Sequence, residues 1–84
     1  MNEILEMIRA FLQSDSEDAT EFSVKLEDAL CNQYDQMMKE NKEATEILND
    51  ELPEICADYE PGKNVQEFKD KIRAEFEKAL RLMA

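Results

Sequence analysis

Four carboxylates recur at every fourth position in the second half of this chain: Glu46, Asp50, Glu54 and Asp58. Glu51 and Glu60 lie beside them, and no base occurs between residues 46 and 60. On a continuous helix this spacing makes one ridge, opposite the apolar residues Leu48, Leu52, Ile55 and Tyr59. Like charges so spaced repel by ~0.2–0.5 kcal/mol per pair, so three pairs cost about 1 kcal/mol. That is a real fraction of a small domain's stability, and folding alone would favour Lys at one of the four sites. Two readings stay open. The ridge receives a basic partner, or it is the solvated face of an acidic protein. Ile47 falls among these acids by helical angle. It is either an interface anchor or an edge residue displaced by Pro53. Tyr59, between Asp58 and Glu60, is a boundary residue that could add an aromatic contact to a partner. A second acidic stretch, residues 14–28, has six acids and one Lys. There Asp15, Glu17 and Asp28 could add long-range steering, while Asp18 and Glu21 have a helix cap to form.

Other chemistries lack their residues. His is absent, so a His general base, a Ser–His pair and a His metal ligand are excluded. Cys31 and Cys56 cannot make a zinc quartet. Asp15 to Leu26 fails as a calcium loop, because Thr20 stands where Gly is needed and Leu26 where Glu is. The single Gly rules out a glycine-rich phosphate loop. Asp15-Ser16-Glu17 is too early, and lacks the Leu, for the arm-bearing Asp-Ser-Leu of an acyl carrier protein. No catalytic residue, metal or cofactor is expected, since paired carboxylates need a pocket that so short a chain rarely encloses.

The elements that position the acids follow from hydrophobic periodicity. Ile4, Ile8, Phe11 and Leu12 predict a helix over 3–13. Asp18 with Glu21 predicts a capping box, opening a helix whose stripe is Phe22, Leu26, Ala29, Leu30 and Met37. Cys31 shares a weaker stripe with Val24 and Met38 on the back of this helix. A third helix is expected over 42–59, either kinked near Asn49 or restarted at Asp50, because Pro53 removes a backbone donor. Glu60-Pro61-Gly62-Lys63 reads as a stop. Asn64 and Glu67 cap the last helix, whose stripe is Val65, Phe68, Ile72, Phe76, Ala79 and Met83. Short connections favour antiparallel neighbours. The expected fold is all-α: one domain over 1–84, an antiparallel up-down four-helix bundle with its third helix kinked or broken near Pro53.

Charge narrows the partner. Ten bases against 21 acids leave −11 over 84 residues. Leu, Ile, Val and Phe make up just enough of the chain for a thin core rather than disorder. Such a chain repels nucleic acid and acidic membranes. Met1-Asn2-Glu3-Ile4 does not read as a signal peptide, and no apolar run is long enough to span a bilayer. A cytoplasmic location with reduced thiols is expected.

The motifs also resemble a family. Ile8-Arg9-Ala10-Phe11-Leu12, a polar link, and Asp18-Ala19-Thr20-Glu21-Phe22-Ser23 are similar to the opening of the colicin D-type immunity proteins. These are small helical inhibitors of tRNA-cleaving bacterial toxins, with relatives in contact-dependent growth inhibition. Ala57-Asp58-Tyr59-Glu60-Pro61 resembles the family's aromatic-Glu-Pro end of the third helix, and Ile72 and Leu80 fit its closing segment. The likeness spans nearly the whole chain through short, mostly structural motifs. Gly62-Lys63 replaces an acid expected after Glu-Pro, and Ala57 replaces another before the aromatic, so Glu60 is the contact that carries over. The resemblance implies a monomeric immunity protein in a 1:1 complex with a nuclease toxin. The remaining ridge acids come from the charge map. A different expectation is an acidic helical adaptor or regulatory subunit whose charge secures only solubility.

Overall fold

A computed structural model describes residues 1–15, 18–60, 62 and 64–83. Four helices follow in order: α1 (Asn2–Leu12), α2 (Thr20–Glu40), α3 (Lys42–Asp58) and α4 (Val65–Met83). Each packs on its neighbours in sequence, and α4 closes the ring against α1. The most extensive seam is between α3 and α4. Contacts at the two ends set the directions. The Met1 amino group donates to Glu40 at 2.7 Å, joining the start of α1 to the end of α2. The Asn41 amide donates to the Leu82 carbonyl at 3.2 Å, joining the α2–α3 corner to the end of α4. At the other end Lys69 Nζ donates to the Ser14 carbonyl at 2.6 Å. Neighbouring helices therefore run antiparallel, giving the all-α up-down bundle.

The apolar stripes supply the core. Ile4, Ile8, Leu26, Met37, Leu48, Leu52 and Ile72 have no exposed surface. Four aromatic rings, one from each helix or its cap, fill one end. Phe11 and Phe22 stack at 4.0 Å, while Phe68 meets both edge-on and Tyr59 at 5.0 Å. Lys69 is buried among them, its Nζ lying 5.3 Å from the centre of the Phe11 ring.

One local alternative is decided and one expectation needs correction. Helix α3 runs unbroken through Pro53, so of a kink or a restart at Asp50 the restart does not occur. An interior proline costs ~3 kcal/mol. Full burial of Leu48 and Leu52, at about 1.5–3 kcal/mol each, offsets it. The capping box at Asp18 is also not formed. Helix α2 starts at Thr20, and Asp18 Oδ1 accepts from both the Thr20 backbone N–H (2.9 Å) and its hydroxyl (2.7 Å). Glu21 instead pairs with Lys25 one turn on, at 2.8 Å. A true side-chain cap sits on α3, where Asn41 Oδ1 accepts from the Ala44 N–H at 3.0 Å.

Candidate protein-binding surface

Because α3 is continuous, the acidic ridge exists as one surface. Glu46, Asp50, Glu51, Glu54 and Asp58 are all exposed. The twelve steps from Glu46 to Asp58 carry the ridge about 18 Å along the axis. Lys42 approaches Glu46 at 3.9 Å. Asp50, Glu51, Glu54 and Asp58 have no ion pair among the described residues. Three of the five bases of α4 are engaged within their own helix: Lys71 with Glu67, Arg73 with Asp70, and Lys78 with Glu75.

The helix dipole sharpens the oddity. A C-terminus carries partial negative charge and favours cations in the last turn. The last turn of α3 has no base. It ends instead on Asp58, with exposed Glu60 just beyond. Local electrostatics therefore opposes these acids both along the ridge and at the helix end.

The other sequence-selected residues take different places. Tyr59 is half-buried. Its hydroxyl accepts the Ala19 N–H at 3.1 Å and donates to Asp18 Oδ1 at 3.2 Å, while its ring packs on Phe68. It ties the end of α3 to the start of α2, and only part of its ring lines a small cavity of about 120 Å³ beside Asp58 and Lys71. Ile47 is half-buried and faces a shallow cleft with Lys78, Arg81 and Leu82. It is an edge residue of the tight α3–α4 seam rather than an anchor within the acids. Asp15 is exposed in the α1–α2 connection, at the bundle end where α3 stops, and Asp28 is exposed on α2. Glu17 lies outside the described residues.

Hydrogen bonds and an ion pair shift two titrations, and burial shifts a third. Hydrogen bonds from the Thr20 N–H and hydroxyl, then from Tyr59, lower the Asp18 carboxyl below its ordinary value. The hydrogen bond and charge of Lys25 lower Glu21. Burial raises the Cys56 thiol. Ser23 partly offsets this, and Glu27 adds to it. Cys56 is thus a core thiol near a buried Ser23 hydroxyl that has no conventional hydrogen-bond partner among the described residues. Cys31 is exposed.

A groove of about 480 Å³ between α2 and α3, lined by Glu27, Leu30, Cys31, Tyr34, Asn49 and Pro53, is not evident from the acids alone. Its sequence signal is Cys31 alone, from the weak Val24–Cys31–Met38 stripe of α2. Val24 is 57% exposed, Tyr34 is 37% exposed and Met38 is half-buried, so α2 keeps apolar surface open to solvent. Among the described residues, no group of three His, Cys, Asp or Glu is arranged to hold a metal ion, and no helix is long and apolar enough to cross a membrane. Comparison with protein families, curated proteins and solved structures finds no match for this chain.

Proposed function

We propose that this chain is a toxin-neutralising immunity protein of the colicin D type. It binds the nuclease domain of a bacterial toxin, a tRNase, in a 1:1 complex in the cytoplasm. The α3 ridge, with Glu60 beyond it, lies over or beside the basic cleft that would otherwise hold RNA. Inhibition is steric and electrostatic, and this chain performs no chemistry.

The observation that carries the reading is the exposed ridge Asp50, Glu51, Glu54 and Asp58, without an ion pair among the described residues and ending in a helix turn without a base. Acids kept against their own repulsion and against the helix dipole are accounted for by a basic counter-surface. Opposed fields raise association rates toward ~10⁸–10⁹ M⁻¹s⁻¹ at low salt. Matched carboxylate–Arg or carboxylate–Lys contacts then fix the register. Acids at Asp15, Glu17 and Asp28 add to the field.

Co-expression with the nuclease domain of the candidate toxin encoded beside this gene tests the reading. Growth with intact tRNA supports it. Continued killing, with this protein folded and abundant, rejects that pairing and turns the search to an unbiased pull-down, where a non-nuclease partner would favour the adaptor.

A further inference from the structure

We infer that the α2–α3 groove seats an apolar side chain carried on a Lys- or Arg-rich segment of the protein partner. The inference rests on the basic-partner reading above, and it adds a second, apolar element of recognition on the α2 side of the ridge.

The groove has the parts such a seat needs. Leu30 and Pro53 give apolar walls, and Cys31 and Tyr34 stand open at the rim. The Asn49 amide and the Tyr34 hydroxyl make no hydrogen bond among the described residues. Because residue 53 is proline, the Asn49 carbonyl also has no N–H four residues on to accept from. Donors on an incoming segment would find acceptors waiting beside an apolar floor. This gives the costly proline a role: it shapes one wall and removes the N–H that would otherwise bond the Asn49 carbonyl.

The charge around the groove selects the occupant. Glu27 is part of its lining, and Asp28 and Asp35 are exposed on the same helix. The ridge acids Glu46, Asp50 and Glu54 are exposed on α3, the helix whose Asn49 and Pro53 form the other wall. Lys25 is held by Glu21 and Lys42 lies near Glu46, while Lys39 sits at the far end of α2. An apolar slot with acidic lips suits a cationic segment with one protruding apolar residue. A second copy of this chain would bring −11 against −11, and a nucleic acid would be repelled as strongly.

The probe is a short helical leucine–lysine peptide with its leucines on one face, compared with a peptide of equal charge bearing alanine in place of leucine. Amide shifts are followed by NMR, and Cys31 alkylation by iodoacetamide serves as a second readout, with buried Cys56 as the internal control. The leucine peptide should shift the amides of Leu30, Cys31, Tyr34 and Asn49 and protect Cys31. Affinity should fall ~10-fold for the alanine peptide, for Cys31→Arg and for Tyr34→Ala, a loss typical of an anchor residue. Both substitutions are at exposed positions, and circular dichroism checks that the fold is kept. Equal binding of both peptides, shifts confined to the outer face of α3, an unprotected Cys31, or no binding would each overturn the groove. Failure of the groove and failure of the immunity reading are separable. If Cys31→Arg still rescues cells as fully as the wild type, the groove is refuted and immunity stands. If the wild type fails to rescue, that toxin pairing is rejected while the peptide data still judge the groove.

Discussion

Replacing Asp50 by lysine should make the free protein more stable and the complex weaker. Asp50 lies four residues from both Glu46 and Glu54, all exposed on one continuous helix. The substitution removes two like-charge pairs and creates two opposite-charge pairs. At ~0.2–0.5 kcal/mol for each pair lost or gained, the swing is about 1–2 kcal/mol in favour of folding. Of the two new pairs, the one with Glu46 is the better, since an acid N-terminal to a base also suits the helix dipole. For a domain of this size about 1 kcal/mol moves the midpoint by roughly 4–8 °C. Thermal melts by circular dichroism at low salt should therefore show D50K rising by roughly 4–16 °C. In 1 M salt, where screening acts over ~3 Å, most of the gain should vanish. The same variant should bind the nuclease domain about tenfold more weakly, mainly through slower association. No gain at low salt, or an equal gain at high salt, would refute the repulsion argument. Higher stability with undiminished binding would refute the claim that the ridge is kept for a partner.

Three further expectations follow from particular contacts. Tyr59→Phe leaves the Ala19 N–H without its acceptor and should cost ~1–2 kcal/mol in urea unfolding. A change of no more than a few tenths would mean that the bridge is not structural. Burial raises the Cys56 thiol above its ordinary 9.0, so the folded state binds that proton more tightly than the unfolded state. The associated stability is full below pH 9 and should be lost as pH rises through 9 toward the folded value. Cys56→Ala should flatten this alkaline slope, and an unchanged slope would assign it elsewhere. Moderate salt should raise the wild-type midpoint and slow association with the nuclease domain, whereas a midpoint that falls with salt would contradict the charge map.

The helices are legible because their apolar positions recur at helical spacing and the residues between them are charged. Ile4, Ile8, Leu26, Leu48, Leu52 and Ile72 are selected by periodicity and are fully buried. The ridge is legible for the same reason, since a spacing of four on one helix needs no knowledge of the other helices. Local rules fail where distant contacts decide. Pro53 reads locally as an interruption, yet the burial of Leu48 and Leu52 holds the helix through it. Asp18 reads as a cap for Glu21, but Thr20 offers two donors and Lys25 takes Glu21 away. Burial of Lys69 depends on a carbonyl 55 positions earlier, and the Tyr59 bridge spans 40 positions. Nothing in the neighbouring sequence encodes either contact. The α2–α3 groove is similar: Cys31 and Tyr34 belong to one helix, and Asn49 and Pro53 make them a groove only after the helices pair.

The most direct test of the central claim is the affinity of the nuclease domain for wild type and for the triple variant Glu54→Lys, Asp58→Lys, Glu60→Lys, measured by titration calorimetry alongside tRNA cleavage. The ridge account predicts a loss of ~2–5 kcal/mol, return of tRNA cleavage at inhibitor concentrations that silence the toxin in the wild type, and unchanged helicity. Full affinity and full inhibition by the reversed variant would contradict it, placing the interface away from the end of α3 and toward Asp15 and Asp28.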